Sequence, residues 1–121
     1  MEFVEIEGSV DPTLPLIYLW EILDSNEEVR YQYVGKASRG ASRRRNHYRR
    51  NVNNLLLKNP YRKNRPDNFR PVHRKLAEAV KDGQTIRLSF LCNVAPHEDI
   101  DLVERQWHQH YECSKHIWID N

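Results

Sequence analysis

The chain has 121 residues, of which 39% are hydrophobic and 30% charged. This composition predicts a single globular domain over residues 1–121 and excludes a disordered chain. No apolar run approaches the roughly 18 residues of a membrane span, and the acidic N-terminus lacks a signal-peptide core, so we expect a cytoplasmic or nucleoid-associated protein with no membrane partner. Cys92 and Cys113 have no CxxC or Cys/His ligand spacing, which favours reduced thiols.

The predicted elements follow the order β-β-α-α-β-α, typical of a small α/β (α+β) domain. Strands are predicted over residues 14–23 and 29–35, paired as an antiparallel hairpin. A helix follows over residues 38–57 with Ser38 as N-cap, then a loop over 59–71, a helix over 72–81 and a strand over 85–94. Pro96 is predicted to open the last helix. Alternation places Ile86, Leu88, Phe90 and Cys92 on one face of the third strand.

The net charge of +2 hides a strong asymmetry along the chain. Residues 36–75 carry fourteen Lys or Arg against Asp67 alone, a net +13, whereas residues 1–35 and 76–121 carry −7 and −4. Such a block repels itself unless it is solvated or neutralised by a polyanion. The sequence therefore favours nucleic acid as partner, with a solvated basic face as the alternative.

Arg43 and His47 are spaced i, i+4 inside this block, so they lie on one helix face. Arginine can donate two hydrogen bonds to a phosphate, and histidine can exchange a proton near neutral pH. The pair is interpreted as a phosphate clamp with a proton carrier, or alternatively as part of a solvated face.

Tyr18 and Tyr33 lie on the two strands of the predicted hairpin, and Lys36 follows Gly35 at its end. A phenol near a cation or a metal can act as a general base, although strand tyrosines are more often packing residues. Glu104 lies at the edge of the apolar stripe of the last helix, where a carboxylate is costly unless it is paired or bound to metal. One carboxylate with waters and a substrate phosphate is a common way to hold Mg²⁺.

The loop over residues 59–71 interleaves aromatic and basic side chains and is the best candidate for contacting nucleic acid. A disordered surface loop is the alternative. The candidate nucleic-acid-binding residues, on the first helix and in this loop, are Arg39, Arg44, Arg50, Tyr61, Arg62, Lys63 and Arg65.

Taken in order, these segments resemble the GIY-YIG endonuclease superfamily. Leu16-Ile17-Tyr18 resembles its first signature triplet, with Leu16 in place of glycine, and Tyr33-Val34-Gly35 resembles the second. Arg43 and His47 follow at the family's spacing, and the segment 102–107 resembles the helix that carries a metal-binding glutamate, here Glu104. Asn121 is the one candidate for the family's late asparagine.

The resemblance implies a three-stranded antiparallel sheet flanked by helices and a Mg²⁺- or Mn²⁺-dependent cleavage of DNA. It implies catalytic roles for Tyr18, Tyr33, Lys36, Arg43, His47 and Glu104. Tyr18 would act as general base with help from His47 or Lys36, Arg43 and Tyr33 would stabilise the phosphate charge, and Glu104 would bind the metal. A single site fits a monomer that nicks one strand or a homodimer that cuts both. Two other functions stay open: a binding module that has lost the chemistry, and a structural RNA-binding protein.

Overall fold

A computed structural model describes residues 1–112, and Cys113 and Asn121 lie outside them. Within these residues the elements are β1 (Val4–Ile6), β2 (Leu16–Leu23), β3 (Val29–Ala37), α1 (Ala41–Leu56), α2 (Pro71–Lys81), β4 (Thr85–Asn93) and α3 (Ile100–Glu112). The strands form one mixed sheet in the order β1-β4-β2-β3. The predicted hairpin is confirmed, since β2 pairs antiparallel with both β3 and β4. None of the helices in the described range is long and apolar enough to cross a membrane.

The prediction of a three-stranded sheet is wrong by one strand, because β1 adds a parallel partner to the outer side of β4. Its three residues, Val4-Glu5-Ile6, are all exposed, and their alternation is too short to predict a strand. In β1, Glu5 accepts a hydrogen bond from Arg45 of α1, with Nη1 and Oε1 2.6 Å apart. This contact gives Arg45, which lies beside the apolar stripe of α1, a charged partner.

The sheet separates two packed layers. Side chains at even positions of β2 pack with buried residues of α1 and α2, including Tyr48, Val52 and Leu76. Ile17 and Leu19, at odd positions, pack on the other face with the stripe of α3, formed by Ile100, Val103, Trp107 and Tyr111. The apolar stripe predicted for the last helix therefore packs against the sheet, and Tyr48 and Val52 give α1 a corresponding apolar face.

The first helix begins at Ala41, not at the predicted Ser38. Strand β3 runs on to Ala37, and Gly40 takes φ +88° as the residue before the helix. The Ala41 N–H donates to the carbonyl of Pro12 at 2.8 Å, and a Cβ at Gly40 would lie 2.9 Å from the same oxygen. The approach of the Pro12 segment, which is distant in sequence, fixes this start.

Cys92 lies on the opposite face from its predicted neighbours. The pairing of β2 with β4 shifts between Ile17 and Tyr18, so that Cys92 and Phe90 oppose adjacent residues of β2. The extra residue, Leu91, makes a β-bulge that turns Cys92 towards Trp107, whose indole N–H donates to the sulfur at 3.3 Å. The last helix likewise begins at Ile100, after a turn that follows Pro96.

Candidate functional site

Tyr18 and Gly35 oppose each other in the β2–β3 pairing, and the tyrosine ring lies over the glycine. A Cβ on Gly35 would fall 2.3 Å from Cζ and 2.4 Å from the hydroxyl of Tyr18. The two residues that resemble signature positions therefore depend on each other sterically: the ring occupies the space that a side chain at position 35 would need.

The phenol of Tyr18 is buried and lies 2.7 Å from the phenol oxygen of Tyr48, in the middle of α1. Burial, followed by the nearby Tyr33, raises the pKa of Tyr18, while Arg44 and Arg70 act in the lowering direction. The pKa of Tyr48 is raised too, chiefly by burial. Both phenols therefore keep their protons at neutral pH, and Tyr18 can become a base only against a substantial desolvation cost.

Tyr33 is held by Arg70, the residue just before α2. The guanidinium donates from Nη2 to the Tyr33 hydroxyl, and its central carbon lies 5.5 Å from the ring centroid. Arg70 also lowers the pKa values of Tyr18, Tyr48 and His47 through its charge. It is a site residue that the sequence did not identify.

A cleft of about 390 Å³ opens where β3 passes into α1. It is lined by the turn that joins the two elements and by the first basic residues of the helix: Ala37, Ser38, Arg39, Gly40, Arg43, Arg44 and His47. Arg43, His47 and Arg50 also border an adjoining cavity of about 800 Å³, together with Arg39 and Arg62. The structure thus brings Arg43 and His47 together on one basic surface, as predicted.

His47 is neutral in this setting, because partial burial and the surrounding arginines, Arg50 foremost, lower its pKa. Its Nδ1 lies 3.1 Å from Nη2 of Arg50. A guanidinium can only donate, so Nδ1 is the acceptor and the ring proton lies on Nε2. In this arrangement His47 offers an N–H donor, not a free basic nitrogen.

The basic surface continues beyond the helix. Arg62 borders the cavity shared with Arg43 and His47, and it also borders a third cavity of about 640 Å³ formed by residues of the 61–68 segment. The predicted nucleic-acid contacts therefore fall on one surface: Arg39, Arg44 and Arg50 at its start, and Tyr61, Arg62, Lys63 and Arg65 at its far end. We call this surface the basic groove.

Lys36 and Glu104 lie on the other side of the sheet from the tyrosines. Lys36 lies two residues after Val34 in β3 and therefore on the same face, the one that packs against α3. Its ammonium is paired with Asp101 of α3. Hydrogen bonding to Asp101, with a smaller contribution from Glu104, raises the pKa of Lys36. The lysine is committed to a carboxylate and protonated, so it does not serve as a base in this arrangement.

Glu104 is half-buried, and its carboxylate forms no hydrogen bond or ion pair with the part of the chain that the structure describes. A carboxylate with free oxygens beside a lysine suits a cation held by one protein ligand, waters and a phosphate. No three His, Cys, Asp or Glu side chains of the described chain are grouped to hold a metal by themselves. The donor set therefore fits a one-carboxylate Mg²⁺ or Mn²⁺ site and not a cage built entirely of protein ligands.

Arg44 acts electrostatically on residues at both faces of the sheet. It lines the cleft, and its charge acts on Tyr18, His47 and Lys36. Sequence spacing predicts a catalytic role for Arg43 and only nucleic-acid contact for Arg44. Helical spacing relates α1 residues to one another, but it does not say which of them face the ends of β2 and β3.

Comparison with known proteins adds nothing to this geometry: no family model, no curated protein and no solved structure matches the chain.

Proposed function

We propose that this protein is a GIY-YIG-type endonuclease that hydrolyses DNA phosphodiester bonds with the help of Mg²⁺ or Mn²⁺. The observation that carries the proposal is the basic cleft at the start of α1, together with the paired phenols of Tyr18 and Tyr48 and with Glu104, whose carboxylate has no partner among the described residues. The +13 block supplies the charge that such a substrate needs. A cytoplasmic or nucleoid-associated location belongs to the same proposal.

The scissile phosphate binds in the cleft, where Arg39, Arg43 and Arg44 reach a common space. Guanidinium groups donate paired hydrogen bonds to phosphate oxygens, and they stabilise charge that grows on the phosphorus in the transition state. Neutral His47 adds its Nε2–H as a further donor. Tyr33, whose hydroxyl accepts a hydrogen bond from Arg70, is the proposed second contributor to charge stabilisation.

Glu104 would hold the metal, and Asp101 would keep Lys36 oriented beside it. A divalent ion bound there supplies Lewis-acid stabilisation of the negative charge on a phosphate or leaving oxygen. The residues of the chain bind the phosphate, orient it and limit its exposure to water.

Tyr18 is the proposed base that accepts a proton from the attacking water. The raised pKa opposes this role, and the charges of Arg44 and Arg70 favour it. Tyr48 holds the Tyr18 hydroxyl in place through the 2.7 Å contact and is a positioning residue. The step requires the Tyr18 phenolate, so the phenol first loses its proton to solvent. The water oxygen then bonds to phosphorus while its proton passes to the phenolate, the bond from phosphorus to the sugar oxygen breaks, and that oxygen takes a proton from solvent.

The test is a cleavage panel of duplex, nicked, branched and single-stranded DNA and RNA, with and without Mg²⁺ or Mn²⁺. We expect metal-dependent cutting that Arg43→Ala and Glu104→Gln each reduce by at least about 100-fold, the range for lost transition-state contacts. Lys81→Ala and Glu78→Gln, exposed on α2 and outside the groove, are the matched controls and should keep full activity. Cutting by Glu104→Gln at the wild-type rate would remove the metal role.

The burial of Tyr18 favours one alternative, a nucleic-acid-binding module of the same architecture without chemistry. It predicts tight, salt-sensitive binding to DNA with no cleavage under any metal condition. Preferential binding to RNA, again without cleavage, would instead indicate a structural RNA-binding protein. Gel filtration of the free and DNA-bound protein separates the monomer from the homodimer.

A further inference from the structure

Residues 61–66 form a small ordered ribbon at the far end of the basic groove. Arg62 and Arg65 exchange two backbone hydrogen bonds, of 3.3 and 3.1 Å, and the Tyr61 N–H donates to the Pro66 carbonyl at 2.9 Å. Lys63 and Asn64 form the two-residue tip, and residues 62–68 are exposed. This part of the 59–71 loop is therefore a two-residue turn closed by one antiparallel bridge between Arg62 and Arg65.

The ribbon is anchored to the body of the protein by aromatic contacts. The rings of Tyr61 and Phe69 meet edge to face at 5.3 Å, and Phe69 in turn contacts the buried His73 of α2 at 6.5 Å. The guanidinium of Arg62 covers Tyr61 at 5.2 Å from the ring centroid. The base of the ribbon is therefore fixed while its tip projects into solvent.

These contacts bear on the form of nucleic acid that the ribbon can meet. Single strands are commonly held by stacking of bases on open aromatic faces. Tyr61 is poorly placed for such stacking, because Arg62 lies over one face of its ring and the Phe69 ring meets it edge to face. What the tip presents is a set of hydrogen-bond donors and an amide, at Arg62, Lys63, Asn64 and Arg65.

Resting on the proposed nuclease function, we infer that this ribbon reads duplex DNA by entering its major groove beside the cleavage site. The major groove is about 12 Å wide and admits a two-stranded ribbon, whereas the minor groove is only about 6 Å wide. Two strands about 4.8 Å apart, with side chains on both edges, are too broad for the minor groove. Asn64 has the donor and acceptor that recognise adenine in the major groove, and Lys63 lies beside it to contact phosphate.

The basic groove is continuous between the ribbon and the cleft. Arg62 borders the cavities at the ribbon and at the helix, and its charge acts on the pKa of His47. One duplex lying along the groove therefore meets the ribbon and the phosphate-binding residues of α1 together. The ribbon selects the substrate, and the cleft acts on it.

The test measures binding by fluorescence anisotropy, in a Glu104→Gln background that isolates binding from cleavage. The probes are a short mixed-sequence duplex, the same duplex with 7-deazapurines in place of its purines, and the single strand. We expect Lys63→Ala/Asn64→Ala to weaken duplex binding by about ten-fold or more and to flatten its salt dependence by about one phosphate equivalent. Single-strand binding should stay within about two-fold of the parent. Lys81→Ala is the charge-matched control.

The groove assignment has its own readout. The 7-deazapurine duplex lacks the purine N7 acceptor of the major groove, so it should bind the parent more weakly, and Asn64→Ala should reduce the difference in affinity between the two duplexes. Equal losses on duplex and single strand, or no loss at all, would overturn the inference even if the protein cleaves DNA. Conversely, a protein that binds as expected but never cleaves would overturn the nuclease and leave the ribbon assignment standing. Unchanged thermal unfolding of the tip variant, whose two altered residues are exposed, excludes misfolding.

Discussion

Replacing Gly35 with alanine should destabilise the fold through a single collision. The new Cβ would lie 2.3, 2.4 and 2.7 Å from three atoms of the Tyr18 ring. The ring has little room to retreat, since it is buried and its hydroxyl is bonded to Tyr48. Overpacking of this kind costs roughly 1–3 kcal/mol, which lowers the unfolding midpoint of a domain of this size by roughly 5–15 °C.

Thermal and urea unfolding followed by circular dichroism measure this cost. Gly8→Ala is the matched control, because nothing lies within 4 Å of a Cβ at that position, and it should change stability by less than about 0.5 kcal/mol. The same substitution tested in a Tyr18→Ala background isolates the contact as a coupling energy.

In the Tyr18→Ala background, the effect of Gly35→Ala on the free energy of unfolding should no longer be destabilising. Alanine is favoured over glycine inside a strand by roughly 0.5–1 kcal/mol, so Gly35→Ala becomes neutral or stabilising once the ring is absent. A wild-type midpoint for the single variant would mean that the ring does not lie over Gly35. A cost that persists without the ring would mean that the β3 backbone itself requires glycine, and the steric explanation would fail.

Two predictions concern pH. Burial lowers the pKa of His73 to about 3, so the unfolded state takes up the proton first as the pH falls below 6.5; about 2–3 kcal/mol of stability is lost by about pH 4.5. His73→Gln keeps an acceptor for the Arg70 N–H and should abolish this loss of stability, measured by urea titrations above pH 6.5 and at about pH 4.5. An unchanged decline in stability would assign the loss to other groups. If Tyr18 is the base, its raised pKa makes the cleavage rate still climb at pH 10, whereas a plateau beginning near or below pH 6.5 would transfer the role to His47.

The elements that could be predicted from sequence are those whose apolar spacing reports a buried face. The stripes of α1 and α3 and the alternation in β2 and β3 are of this kind, because each is set by local geometry against one packed layer. Strand β1 is too short and too exposed to show a period, and the bulge at Leu91 depends on its partner strand. The start of α1 depends on the Pro12 carbonyl, which lies far away in the sequence.

Site residues related by helical spacing could be predicted from the sequence, whereas contacts between distant segments could not. Arg43 and His47 follow helical spacing, so their shared surface could be inferred. Arg70 has no spacing relation to Tyr33, and only the placement of the loop before α2 brings its guanidinium to the phenol. The alternation of side chains in β3 does show from the sequence that Lys36 and Tyr33 point to opposite faces, whereas the motif pattern places them in one site.

The placement of the candidate site residues on two faces of the sheet constrains how a substrate can bind. The tyrosines and the arginines of α1 lie on one side of the sheet, and Lys36 and Glu104 lie on the other. Within residues 1–112, β3 is the edge strand and no further strand lies beyond it. The charge of Arg44, which lines the cleft, acts on both Tyr18 and Lys36, and this favours the cleft over the 37–40 turn as the place where a phosphate would bind. The Gly40 conformation that starts α1 at Ala41 therefore also sets the shape of the proposed phosphate site.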